Sequence, residues 1–411
     1  MSTRNSCVDP GSFRRTPMSR RDFVKLVGCA ETLSSSLILA LGKASPLGSG
    51  LLPRGVPDQT HDGTFCSAPP AAFDPVMGYR WLPGPIRIIR VVHSELVFDN
   101  TFSGNNYGYN CSYDFTPKKP SPRTFRFAVL GDSFTAGMYM AAPWPERLQQ
   151  LLRSRSERWR DVQVYPFPID GGGLLNWHSV FTNQILPEFE FDGLIIASWF
   201  ENLARDFIVF HGDQNGVYLK KFGYDERPKS REEFEKIRPA MRKFYEVRDS
   251  REIEEIVDQV RRFRPAQVTA DQYCEPWTDK SELAPAGYAF SQDAFVKRYS
   301  ARRLALLSEI VDACRKRQVP VIFCAIPTRE GVLRTKKTGS LLLHRAESER
   351  LCRHFGLHYF DGYAIFDAID SEAVVDLYWL KYDSHWGLAA SELFALKLAE
   401  WITRNGIVLQ T

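Results

Sequence analysis

The segment Phe127-Ala-Val-Leu-Gly-Asp-Ser-Phe-Thr-Ala-Gly137 carries an apolar stretch into Gly131-Asp132-Ser133, and a helix-compatible run follows. That pattern sets the Ser133 hydroxyl at the carboxyl end of a strand, where open α/β sheets keep their active sites. A serine hydroxyl is a weak nucleophile at neutral pH and needs a base beside it. Asp383-Ser-His385-Trp386, near the C-terminus, supplies one. His385 can take the serine proton, and Asp383 can orient the imidazole and stabilise its charged form. Among the eight histidines, His385 is the one with a carboxylate at that offset.

Positioning these groups requires a scaffold, and the hydrophobic pattern predicts it. Phe125–Leu130, Val162–Phe167, Leu194–Ser198, Pro320–Ile326 and His358–Phe360 read as strands. Between them, Trp144–Leu152, Leu174–Ile185, Tyr299–Arg317 and a segment ending near His354 read as helices, and Leu388–Arg404 closes the series. Pro145 suits a first helical turn, and Gly356 suits a C-terminal cap. This alternation implies an α/β fold with a parallel sheet and helices on both faces. Residues 64–122 hold short strand-like pieces, among them Ile86–Val92, and read as a small β-extension after a linker beginning at residue 45. Residues 206–298 interrupt the alternation. They are charged, and Ile253, Ile256, Val257 and Val260 fall at helical spacing, which predicts a helical insertion with a solvated outer face; a lid over the site is the alternative.

The chain has 411 residues, 44% hydrophobic and 25% charged, the composition of an ordinary globular protein. Its net charge of +4 resides in residues 1–44, which hold seven Lys or Arg against three acids. The remainder is near neutral and offers no electrostatic reason to expect nucleic acid. Ser19-Arg20-Arg21-Asp22-Phe23-Val24-Lys25 resembles a twin-arginine export signal, followed by the weakly apolar Leu26–Leu41 and the small residues around Lys43. Residues 1–44 are therefore expected to be a signal peptide read by the twin-arginine export machinery. The processed protein is expected in the periplasm or outside the cell, without a stable membrane span. Cys314 and Cys324 fall within apolar elements and read as buried thiols, while a Cys66–Cys111 bridge is left open. No Cys or His spacing suggests a metal.

Gly131-Asp132-Ser133, an asparagine after the third core strand, and Asp383-x-His385 together resemble the SGNH (GDSL-type) hydrolase family, over roughly residues 70–411 without the insertion. The resemblance implies a three-layer α/β/α sandwich of flavodoxin-like type, with residues 123–411 as the hydrolase-like domain. It implies Ser133 as nucleophile, His385 as base and then acid, and Asp383 as the orienting carboxylate. It implies an oxyanion hole from the backbone N–H of Ser133, that of Gly171 (Gly172 being the alternative) and the side chain of Asn202. The chain departs from the family at Phe200 and Leu203, where the third block has glycine and aspartate, and at Pro166 and Pro168 in the second block. An α/β-hydrolase elbow is excluded because it needs a glycine where Thr135 stands.

The chemistry expected is that of an exported serine esterase that hydrolyses a carboxylic ester through a Ser133 acyl-enzyme, acting on a small-molecule or glycan ester without a cofactor. The Asp-x-His-Trp segment also resembles that of alginate O-acetyltransferase relatives, so an O-acyltransferase modifying an extracellular polysaccharide is the alternative. The altered middle blocks motivate a third reading, a non-catalytic carbohydrate-binding module on a degenerate scaffold.

Overall fold

The computed structural model describes residues 62–155, 159, 161–199, 201–262, 283–285, 287–374 and 378–407; the segment resembling an export signal lies outside them. The chain divides into two compact units. Of the smaller, only the turn Ala368–Asp370 is described, and all that follows concerns the larger unit, Asp58–Asp367 with Ser371–Thr411.

Its elements in chain order begin with strands: β1 (Gly63–Cys66), the two-residue pair β2 (Ala71–Ala72) and β3 (Arg80–Trp81), β4 (Ile86–Val92) and β5 (Glu95–Phe102). The nucleophile segment follows as β6 (Thr124–Gly131) and α1 (Ser133–Ala136), then α2 (Trp144–Arg155), β7 (Asp161–Pro168), α3 (Leu174–Val180) and β8 (Gly193–Ser198). Next come β9 (Phe207–Asp213), β10 (Gly216–Phe222), α4 (Arg231–Ile237), β11 (Arg242–Val247), α5 (Ser250–Arg262), α6 (Gln292–Tyr299) and α7 (Ala301–Lys316). The chain ends with β12 (Val321–Ala325), α8 (Arg329–Thr338), α9 (Leu343–Phe355), β13 (His358–Asp361) and α10 (Leu388–Arg404).

Five strands form a parallel sheet in the order β13-β12-β8-β6-β7. Every residue of β6, β8 and β12 is buried, which is why these strands read as mostly apolar runs rather than alternating ones, Arg126 of β6 being the charged exception. Chain order reverses at β6: β7 lies on one side of it and β8 on the other. Loops leaving β6 and β8 therefore diverge and open a crevice at the carboxyl ends of the strands. Helices α2 and α10 pack against each other, as do α3 and α7. Gly356, left-handed at φ 64°, ends α9 as the sequence predicts.

A second sheet corrects the expectation for residues 206–298. That segment is not a helical insertion: it contributes β9, β10 and β11, which join the N-terminal strands in a six-stranded mixed sheet ordered β5-β4-β1-β11-β10-β9. The join is the parallel pair β1 and β11, with Phe65 opposite Glu246 and Cys66 opposite Val247. The amphipathic face predicted around Ile253 exists as α5 and closes over Phe65, Ile89 and Val91 of this sheet. The β-extension and the insertion are thus one structure, held together by burial of α5. Cys66 and Cys111 are free, buried thiols, not a bridge, and burial pushes the Cys66 thiol up to about 12. Cys314 and Cys324 are likewise buried and free. No helix among the described residues is long and apolar enough to cross a membrane.

Candidate active site

Ser133 opens α1 one residue after the N-cap Asp132, whose Oδ1 accepts from the Phe134 N–H at 3.0 Å. The turn from β6 into α1 is so tight that a Cβ on Gly131 would lie 2.0 Å from Thr135 Oγ1, so only glycine fits there. Ser133 Oγ lies 2.6 Å from His385 Nε2. On the far side of the ring, His385 Nδ1 lies 2.6 Å from Asp383 Oδ1.

The two-residue spacing of Asp383 and His385 has a local cause. Asp383 Oδ1 also accepts from the His385 backbone N–H at 2.9 Å, the geometry by which an aspartate closes a turn on itself. Tyr382, left-handed at φ 58°, bends the chain into this turn. The imidazole lies between Phe134 and Tyr139, at ring-centroid distances of 4.8 and 5.0 Å. An ionised carboxylate only accepts, so Nδ1 donates to Asp383 and Nε2 is left to accept from the serine.

Asp383 is almost wholly buried, and its other oxygen, Oδ2, meets Arg90 Nη1 at 2.7 Å. Burial alone would raise the Asp383 pKa, but His385 and Arg90 outweigh it and hold the carboxyl well below the ordinary aspartate range. Burial would lower the His385 pKa; the Asp383 charge and hydrogen bond, aided by Asp170 and Asp132, outweigh that and raise it above 6.5. Arg90 comes from β4, so the second sheet reaches directly into the first sheet's site. The β4–β5 hairpin makes two further ties. Glu95 bonds Lys381 and the Tyr382 hydroxyl, and Asn100 Nδ2 donates to the carbonyls of Met138 and Met140 at 2.8 and 3.1 Å.

The structure brings Gly171 and Asn202 beside this centre, but with unequal freedom. Gly171 is left-handed at φ 71°, and a Cβ there would lie 2.9 Å from Ile208 Cδ1 of β9. The N–H groups of Ser133 and Gly171 have no acceptor among the described residues. Asn202 departs from the expectation of a free oxyanion donor. Its Nδ2 donates to Asp132 Oδ2 at 2.9 Å and to the Gly172 carbonyl at 3.0 Å, and its Oδ1 accepts from the Trp199 N–H at 2.7 Å. Both amide protons are committed. The physical reason is Asp132: burial raises its pKa, and the nearby Arg205 and Asn202 donors compensate that burial. Arg205 Nη1, 3.4 Å from Asp132 Oδ2, lies over the Trp199 ring. Asn202 therefore ties the loops after β6, β7 and β8 together. Gly172, the alternative to Gly171, supplies a carbonyl to this tie, and its own N–H donates to Ile169.

Sequence reasoning missed Arg90, Asp170, Tyr139 and Arg205. Nothing local marks them, since each matters through a partner distant in the chain. No group of three or more His, Cys, Asp or Glu side chains among the described residues could hold a metal ion.

No family model matches the chain, and no curated protein does. Among solved structures, the chain is similar to the lipase/acylhydrolase from Enterococcus faecalis, at a TM-score of 0.35 and 11% identity over 68% of this chain and 96% of that one. It is similar to a member of the lipolytic protein G-D-S-L family from Veillonella parvula DSM 2008, at 0.33 and 11% over 68% and 99%. It is also similar to an acetylxylan esterase from Geobacillus stearothermophilus, at 0.34 and 12% over 69% and 94%. At TM-scores below 0.5 these likenesses carry no argument, and the functional reading rests on the geometry of the site.

Proposed function

We propose that this chain is a serine ester hydrolase that works through an acyl-enzyme on Ser133. The observation that carries the reading is the relay itself: Oγ, imidazole and carboxylate in line at 2.6 and 2.6 Å. In the first half-reaction His385 Nε2 takes the Ser133 proton while Oγ attacks the ester carbonyl carbon. Negative charge develops on the carbonyl oxygen, and the free N–H groups of Ser133 and Gly171 are the donors for it. Collapse breaks the bond to the alcohol oxygen, which leaves with the proton from Nε2. Water then repeats the sequence at the acyl carbon and frees Ser133. Asp383 stays ionised throughout and offsets the imidazolium charge.

The finer features belong to the same proposal. The helix pairs α2/α10 and α3/α7 are read as the outer layers of an α/β/α sandwich. Export is read from Ser19–Lys25, and replacing Arg20 and Arg21 by lysine would then retain the protein in the cytoplasm on fractionation. For the chemistry, Ser133→Ala is expected to abolish hydrolysis of a short-chain aryl ester at an unchanged thermal midpoint. Undiminished turnover in that variant would rule the reading out.

A further inference from the structure

Two of the polar side chains next to the relay, Asp170 and Tyr139, have no side-chain partner among the described residues. Asp170 is 6% exposed, and its carboxylate makes no hydrogen bond or ion pair among the described residues. The other two carboxylates of the site are provided for, Asp132 by Asn202 and Arg205, Asp383 by His385 and Arg90. Tyr139 is 7% exposed, and its hydroxyl is buried without a partner among those residues. Its ring lies 5.0 Å from that of His385.

The backbone that carries each group is held: Asn100 Nδ2 donates to the carbonyls of Met138 and Met140 on either side of Tyr139. The Ile169 N–H donates to the Gly131 carbonyl at 2.9 Å, which fixes the Asp170 loop against the nucleophile turn. The Asp170 N–H donates to the Tyr79 hydroxyl oxygen at 2.6 Å, and Asn202 holds the Gly172 carbonyl. Burial raises the Asp170 pKa to about 6, with His385, Asp132, Arg205 and Asp383 all acting on it. The Tyr139 hydroxyl is within electrostatic reach of Asp383, Asp132 and Asp170. A buried hydroxyl without a partner is unfavourable, and beside a carboxylate that no other side chain meets it marks where a ligand supplies the missing bonds.

We propose that Asp170 and Tyr139 bind a hydroxyl group on the alcohol portion of the ester, the carboxylate accepting from it and the phenol donating to it. A hydroxyl satisfies both groups at once. A quaternary ammonium satisfies neither hydrogen bond, and it would face Arg205 and the imidazolium that forms during turnover. The inference rests on the ester-hydrolase reading and deepens it by assigning selectivity for hydroxylated alcohols.

The test compares kcat/KM for glycerol monoacetate, ethyl acetate and acetylcholine in the wild type, Asp170→Asn and Tyr139→Phe. The ratio of glycerol monoacetate to ethyl acetate is expected to fall about tenfold or more in Asp170→Asn, the size of a lost hydrogen bond to a charged group. It is expected to fall several-fold in Tyr139→Phe. Ratios within twofold of wild type in both variants, with ethyl acetate still turned over, would overturn the inference and leave the esterase reading standing. A larger loss on acetylcholine than on glycerol monoacetate would show that Asp170 reads charge, and would also overturn it. An Asp170→Asn chain that does not fold would make Asp170 a structural residue, which likewise overturns the inference. A wild type inert towards all three esters would remove the esterase reading and this inference with it.

Discussion

Replacing Arg90 by methionine removes the guanidinium from Asp383 while keeping much of the side chain's apolar volume. Asp383 is 2% exposed, so its lost partner cannot be fully replaced by water. Breaking a buried ion pair costs about 3–5 kcal/mol. Two features of the site reduce that figure. Asp383 keeps the His385 Nδ1–H and backbone N–H, and the Arg90 side chain is 27% exposed, so its charge is already partly screened. The loss is then closer to that of one hydrogen bond to a charged group, about 1.5–3 kcal/mol. Expressed wholly in the transition state, that is roughly 10- to 150-fold in kcat/KM. A structural defect would lower activity at every pH, whereas a positioning role also moves the titration of the relay. With a neighbouring cation gone, the imidazolium is favoured, and the acid limb of kcat/KM moves to higher pH. Arg90→Lys, which keeps the charge but not the planar geometry, should fall between. The assay is ester hydrolysis from pH 5 to 9, with thermal midpoints recorded in parallel. If Arg90→Met stays within threefold of wild type and its acid limb does not move, the second sheet takes no part in catalysis and this reasoning is wrong.

Other outcomes follow from the same geometry. Because neutral His385 is the base and its pKa is raised, kcat/KM should fall with decreasing pH through a value above 6.5; a limb below pH 6 would contradict the Asp383 pairing. Asn202→Ala should lower stability by about 1–3 kcal/mol, read from the urea midpoint, because it leaves Asp132 short of a donor. An unmoved midpoint with kcat reduced by roughly 10²–10³ would instead mark Asn202 as an oxyanion donor. Gly171→Ala should impair both folding and turnover, since the new methyl meets Ile208 in a backbone conformation that alanine disfavours; a variant equal to wild type in thermal midpoint and kcat would refute this. For Asp170, whose folded pKa is raised to about 6, the folded state holds the proton more tightly than the unfolded chain, so stability declines as pH rises from about 4 to 6. Asp170→Asn should therefore stabilise the protein at pH 8 by on the order of 2–3 kcal/mol and hardly at all near pH 3.5, measured by urea unfolding.

The parallel sheet was legible because its strands are fully buried. Phe125–Leu130 is apolar but for Arg126, Leu194–Ala197 is apolar throughout, and the structure extends the expected strands by only one or two residues, to Thr124–Gly131 and Gly193–Ser198. The meeting of Ser133, His385 and Asp383 was legible because the fold pattern assigns the first to a strand end and the other two share a local turn. The second sheet was not. The strands Phe207–Asp213 and Gly216–Phe222 are bordered by charge, and the strong helical pattern of α5 dominated the segment. Pairing of β1 with β11 joins residues far apart in the chain, and no local propensity encodes it. Arg90 and Asp170 escaped notice for the same reason. An arginine within Ile86–Val92 looks like the polar face of any edge hairpin until register places it on Asp383. An aspartate before Gly171 looks like a turn residue until burial removes its water. Asn202 was correctly located, but the use of its amide depended on Asp132, whose need for donors appears only once the loops are packed.

The most direct test of the central claim is to expose the folded protein to a fluorophosphonate and locate the adduct by intact mass and peptide mapping. A hydroxyl activated by imidazole should yield one adduct, on Ser133, absent in Ser133→Ala and strongly slowed in His385→Ala. No adduct on Ser133 in the folded wild type, or one that forms equally fast without His385, would contradict the account.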